Sequence, residues 1–284
     1  MTINYERLRL FFPAYGYATI NNTKNLPDTK SDGIWLIDFD TNIKQLIISI
    51  NEVATFLNID DTKEQKLFLG HCSFNPCGEK FIFLARYFND DNSAMNTNMF
   101  SYCLITKKLK LLASGKVSHY DWINNTDLIV WMRNNKFAKA VINNDLTKFK
   151  LISFILNFLR KYRPKFLYRK FNDAFYLIST ENNKKTPFLK DKLKADGHQM
   201  TSFDGNWLIV DQYPSKDNKI PINLINLKTQ KSKQIFEFNY ETNNTNSDLK
   251  CDAHPRWSNN DKFIGVDIFE KNLRNFQILN VDDF

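Results

Sequence analysis

The chain has 284 residues, of which 43% are hydrophobic and 14% aromatic, with a formal net charge of +8. That composition excludes a disordered protein and gives enough apolar surface to bury a large core. The positive charge does not signal nucleic-acid binding. Lys outnumbers Arg by more than three to one and Asn is abundant, the vocabulary of AT-rich coding DNA, and no Arg-and-aromatic recognition pattern accompanies it.

The opening residues carry Glu6, Arg7 and Arg9 and lack the apolar core of a secretory signal, and no apolar run reaches the length of a membrane span. A soluble, cytoplasmic protein is the expectation. Cys72, Cys77, Cys103 and Cys251 form no C-x-x-C pair and read as reduced thiols.

In chain order, Tyr15 to Ile20 is a plausible inner strand. Gly33-Ile-Trp-Leu-Ile and Gln45-Leu-Ile-Ile-Ser form the outer half of a first unit. From there a repeat begins, and each copy starts at one of the four histidines. His71-Cys-Ser-Phe-Asn-Pro-Cys-Gly leads to Lys80-Phe-Ile-Phe-Leu, and His119-Tyr-Asp-Trp-Ile-Asn-Asn-Thr leads to Leu128-Ile-Val-Trp. His198-Gln-Met-Thr-Ser-Phe-Asp-Gly leads to Trp207-Leu-Ile-Val, and His254-Pro-Arg-Trp-Ser-Asn-Asn-Asp leads to Phe263-Ile-Gly-Val.

The four registers are expected to agree residue for residue. Each is a short strand, a turn of Asn, Asp, Pro or Gly, and a buried strand, which makes a β-hairpin. A second hairpin follows each, as in Phe100 to Ile105 with Leu109 to Leu112, or Ile222 to Leu227 with Gln234 to Phe238. The last copy stops after Phe276-Gln-Ile-Leu-Asn-Val and lacks a fourth strand. Four strands in a unit of roughly 40 to 55 residues is the period of a β-propeller blade. The fold class is therefore all-β, a single propeller over 1–284 with about five recognisable blades. It either closes as a five-bladed ring or is an incomplete larger one, since an open ring leaves exposed strand edges.

Residues 134–173 interrupt this pattern. Their centre, 151–171, has helical apolar spacing and a basic face. A helix packed over the propeller edge is one reading, and contact with a membrane or partner is the other.

The stretches Tyr15-Gly-Tyr-Ala, Gly33-Ile-Trp-Leu-Ile-Asp, Ser118-His-Tyr-Asp-Trp, Asp196-Gly-His and Cys251-Asp-Ala-His-Pro-Arg-Trp resemble oligogalacturonate lyase-like propellers and their relatives among polysaccharide-biosynthesis proteins. His254-Pro-Arg-Trp-Ser-Asn-Asn-Asp-Lys-Phe-Ile also resembles the Tol-system blade motif. The resemblance implies a seven-bladed ring and a divalent metal, manganese first, bound through histidines and a glutamine, with another histidine as base. Carried over by position, His198 and His254 are the metal ligands and His119 is the general base. The chain departs from the pattern just before His254. Where the lyases place Gln and a further His it has Leu249 and Asp252, and Asp252 can supply an oxygen ligand in place of an imidazole.

That chemistry would be β-elimination from a uronate-containing glycan. An unperturbed imidazole titrates near about 6.5, suitable for a base at neutral pH. Arg86, Arg133 and Arg256 are candidates to pair with a substrate carboxylate, and His71 to touch substrate, although each arginine can equally serve as an inter-blade ion pair. Asp196, Asp211 and Asp267 lie near the same mouth as turn or channel polar groups. Trp122, Trp207 and Trp257 read as core. The rival function is a non-catalytic scaffold for protein partners in cell-surface polysaccharide synthesis, with structural histidines, and a truncated inactive relative is a third reading.

Overall fold

The computed structural model describes residues 28–60, 66–88, 95–133, 173–189, 192–193, 195–214, 217–240, 251–270 and 273–284. The predicted strand at Tyr15 to Ile20, the 134–173 insertion up to its last residue, and Leu249 lie outside them.

The architecture is the β-propeller-like one expected. Strands β1 (Gly33–Ile37) and β2 (Lys44–Ser49) pair in a two-stranded sheet. Strands β3 (Phe68–Phe74), β4 (Lys80–Phe88), β5 (Met95–Cys103) and β6 (Lys108–Gly115) follow as an antiparallel meander. The same meander recurs in β7 (Val117–Trp122), β8 (Asp127–Arg133), β9 (Asp173–Ser179) and β10 (Lys185–Phe188). It recurs again in β11 (Gln199–Thr201), β12 (Trp207–Asp211), β13 (Lys219–Asn226) and β14 (Ser232–Asn239). Among the described residues the last sheet has three strands, β15 (Arg256–Trp257), β16 (Phe263–Glu270) and β17 (Leu273–Asn280).

The sheets stack through apolar faces. Ile34 and Ile48 of the first sheet pack on Phe81, Phe83 and Phe100 of the second. The second meets the third through Leu84, Met99, Val130 and Tyr176. The third meets the fourth through Trp131, Phe175, Leu208 and Val210, and the fourth meets the fifth through Ile222, Val266 and Ile268. Burial of this kind, at roughly 25 cal/mol per Å² of apolar surface, is what holds blades side by side.

Polar contacts confirm the repeat at atomic level. In each of three interfaces the third residue after a histidine donates a hydrogen bond to the second residue after the preceding histidine. Trp122 Nε1 donates to Ser73 O (3.3 Å), Thr201 N to Asp121 Oδ2 (2.6 Å) and Trp257 Nε1 to Met200 O (3.1 Å). Trp122 and Trp257 are buried as expected, whereas Trp207 is 37% exposed, because it opens β12 at the rim rather than facing a neighbouring sheet.

The registers do not agree throughout. Phe74 pairs with Phe81, Thr201 with Leu208 and Trp257 with Ile264, but Trp122 pairs with Leu128, one residue sooner. Three of the turns place a left-handed residue at the same position, Gly78 (φ 75°), Gly205 (φ 71°) and Asp261 (φ 56°). Each of these donates its N–H to the carbonyl three residues before it, at 2.9 Å. Thr126 takes that place after His119, and a β-branched residue resists positive φ. The shorter turn removes the requirement, and Asn124 Oδ1 accepts from the N–H groups of Thr126 and Asp127 instead.

One helix was not anticipated. Helix α1 (Ile50–Leu57) follows β2 directly and buries Ile50, Val53 and Ala54. Ser49 caps it, with Glu52 N donating to Ser49 Oγ and Ser49 N donating to Glu52 Oε2. The S-x-x-E capping box at Ser49 to Glu52 was a readable signal for it. Among the described residues no helix is long and apolar enough to cross a membrane.

Candidate functional site

Because the first strands of successive sheets lie nearest a common axis, residues entering them gather at one mouth. The four histidines do so in chain order. The rings of His119 and His198 are 4.2 Å apart between centroids, and those of His198 and His254 are 3.8 Å apart. His71 lies at the other end of the arc, near enough for His119 to influence its ionisation.

Their backbones differ more than the repeat suggests. His71 and His119 lie inside β3 and β7, where the ladder is irregular, while His198 and His254 precede β11 and β15. His71 (φ 54°) and His254 (φ 39°) have positive φ, a conformation that costs an L-residue on the order of 1 kcal/mol or more and clusters at functional positions.

Each ring of the central cluster has one nitrogen committed. His198 Nδ1 lies 3.0 Å from Asp211 Oδ2, and His119 Nδ1 lies 3.0 Å from Asp196 Oδ1. His254 Nδ1 lies 3.3 Å from the carbonyl of Asp252. Carbonyls and carboxylates only accept, so in its neutral form each ring carries the proton on Nδ1 and leaves the lone pair at Nε2. A metal-binding imidazole is oriented in this way, its other N–H donating to a carboxylate or carbonyl.

His198, Asp252 and His254 each offer one ligand atom, and these atoms lie within 4.8 Å of one another. An ion that holds each ligand at about 2.0 to 2.2 Å separates two of them by at most about 4.4 Å. The three donors would therefore have to draw closer together to share one ion. Two imidazoles and a carboxylate suit manganese, zinc or iron.

The electrostatics favour a cation as well. Burial lowers the proton affinity of His198, but the hydrogen bond and charge of Asp211, with Asp252 and Asp196, outweigh it and the pKa is raised. His254 is shifted down by burial and by the neighbouring His198, against the pull of Asp252 and Asp211. Three carboxylates thus surround two imidazoles.

The other end of the arc is opposite in sign. Burial, then the charge of Arg86, then that of His119 lower the pKa of His71 to about 4. Arg86 Nη1 lies 2.8 Å from His71 Nε2, so the guanidinium donates to a neutral ring.

The predicted arginines separate accordingly. Arg86 stands beside His71 at the mouth. Arg133 is engaged bidentately by Asp173, Nε at 2.6 Å and Nη2 at 3.0 Å, and Lys116 joins the same carboxylate at 2.8 Å. Arg256 binds Asp267 and donates from Nε to the carbonyl of His254 (3.2 Å), while its guanidinium lies 6.0 Å from the Phe276 ring. Arg133 and Arg256 therefore hold the fold's own carboxylates, Arg133 across the β8–β9 ladder and Arg256 within the last sheet.

Sequence reading missed Tyr213 and undervalued Asp196 and Asp211. The Tyr213 ring is 6.1 Å from that of His119 and 5.9 Å from that of His198, and the residue is 43% exposed. Its backbone N–H donates to Asp196 O at 2.9 Å. Its position two residues beyond Asp211 was the available clue.

Meandering sheets with a mouth of imidazoles and carboxylates define a β-propeller carrying a candidate cation site. No protein-family model matches the sequence, and no curated protein matches it. Among solved structures the chain is similar to an oligogalacturonate lyase from Vibrio parahaemolyticus, with a TM-score of 0.53 and 10% identity over 88% of this chain and 57% of that one. It is also similar to TolB from Acinetobacter baumannii, with a TM-score of 0.51 and 15% identity over 89% of this chain and 47% of that one. The chain thus spans about half the length of these structures, and likeness at such identities establishes the fold alone.

Proposed function

We propose that the histidine mouth binds a divalent cation through His198, Asp252 and His254, and that the propeller uses it to bind and cleave an acidic, uronate-containing glycan. The carrying observation is the convergence of the three donors within 4.8 Å, two of them imidazoles whose Nδ1 atoms are already committed to acceptors. The bound ion would supply Lewis acidity to the substrate carboxylate and so acidify the neighbouring C–H.

His119, oriented by Asp196, has its Nε2 lone pair free to take that proton. The electron pair of the broken C–H bond forms the new double bond to the adjacent carbon, and the glycosidic oxygen leaves that carbon with the C–O pair and takes a proton from solvent to end as a hydroxyl. Arg86 stands on the same arc to meet negative charge, and Tyr213 offers its face to the sugar. Asp196, Asp211 and Asp252 would repel a uronate unless a cation stood between them, so glycan binding should depend on metal.

Metal content of the purified protein, compared between wild type and His254→Ala, tests the ligands. Equilibrium binding of uronate oligomers with and without a chelator, together with the ultraviolet absorbance of unsaturated product, tests the rest. Equal metal content in the two proteins would end the ligand assignment. Metal-independent binding without unsaturation would favour the scaffold reading.

A further inference from the structure

Asp211 ends β12 and is only 3% exposed, and its carboxylate serves three separate donors. Its Oδ1 accepts from the His198 backbone N–H. Its Oδ2 accepts from His198 Nδ1 at 3.0 Å and from the His254 backbone N–H at 3.2 Å. One carboxylate therefore ties the ring and backbone of a residue entering β11 to the backbone of a residue entering β15, two different blades.

The approach is built for it. A Cβ on Gly197 would stand 1.9 Å from Asp211 O and 2.8 Å from Asp211 Oδ1, so any larger residue there would push the Asp211 backbone away and its carboxylate with it.

We infer that Asp211, given room by Gly197, is the positioning residue of the histidine mouth. It holds His198 as the Nδ1–H tautomer with Nε2 presented to the cation, and it locks His254 alongside. This rests on the metal reading above but makes a claim of its own about the metal-free protein. An amide cannot replace the carboxylate, because it offers one acceptor oxygen to three donors and would turn an N–H toward His198 Nδ1 or a backbone N–H.

Imidazole ¹⁵N shifts of the metal-free protein, recorded where His198 is neutral, read the tautomer directly. Wild type should carry the proton on Nδ1. Asp211→Asn should move it wholly or partly to Nε2 and weaken Mn²⁺ or Zn²⁺ binding about 10- to 100-fold, with the far-ultraviolet circular dichroism unchanged. Gly197→Ala should shift both readouts in the same direction with the carboxylate retained, and it carries the test if Asp211→Asn does not fold. Asp196→Asn, which removes a neighbouring carboxylate, should leave the His198 tautomer as in wild type.

Wild-type His198 protonated on Nε2 would overturn the inference, as would an Asp211→Asn protein with unchanged tautomer and affinity. A wild type that takes up no metal would overturn the cation site, while the tautomer would still decide the role of Asp211.

Discussion

His71 and His198 open the first and third copies of one repeat, yet their surroundings are electrostatic opposites. On the following strand Arg86 reaches back to the first ring, and Asp211 reaches back to the second. Burial and then the guanidinium hold His71 neutral, whereas at His198 the carboxylates outweigh burial and draw the ring toward its protonated form. One end of the arc is thus suited to an anion and the other to a cation. The repeat sets where an imidazole stands, and its neighbour across the hairpin sets what it can do.

The largest effect expected of this contrast is on metal uptake. His198→Ala should lose more than about 100-fold in divalent-ion affinity, beyond what loss of an orienting partner costs, while His71→Ala should bind as wild type by isothermal titration. Comparable losses in both would show that the arc works as one site.

Stability should be next. Trp257→Ala, which removes a buried indole bonded to the preceding blade, should cost about 3 to 5 kcal/mol in denaturant unfolding. Exposed Trp207→Ala should stay near about 0.5 kcal/mol.

The pH response should separate the two histidines. The folded-state pKa of His71 is lowered to about 4 from 6.5, so its contribution to stability is fully present above pH 6.5. As pH falls from 6.5 to about 4 the unfolded chain takes up a proton that the folded ring refuses, and the contribution is lost. His71→Gln should flatten that part of the stability curve. In proton NMR of the metal-free protein His71 should titrate near pH 4 and His198 above its ordinary value. A shared midpoint would erase the contrast.

Smallest should be Glu181→Gln, which removes an exposed pair with Lys80 at 2.6 Å. It should leave the unfolding midpoint close to that of wild type, as a control for surface charge.

Much of this was legible in the chain itself. Periodicity located the hairpins, the incomplete last sheet and the four imidazoles, because strand alternation and turn residues act locally. The candidate donor set His198, Asp252 and His254 came from the resemblance to the lyases, not from periodicity. Arg133 could not be judged in that way, since its partner Asp173 lies across a ladder and beyond a long insertion. The shortened turn after Asn124 was equally hidden, because a one-residue change in a loop shows only when the strands are paired.

What the sequence determined by itself was the blade and the place of each histidine within it, for those depend on neighbours along the chain. Only the tertiary structure decided which nitrogen of each ring is free, which arginine faces the mouth and which carboxylate orients His198. Those outcomes depend on a hydrogen bond between separate strands, and its direction exists only once sheets stand side by side.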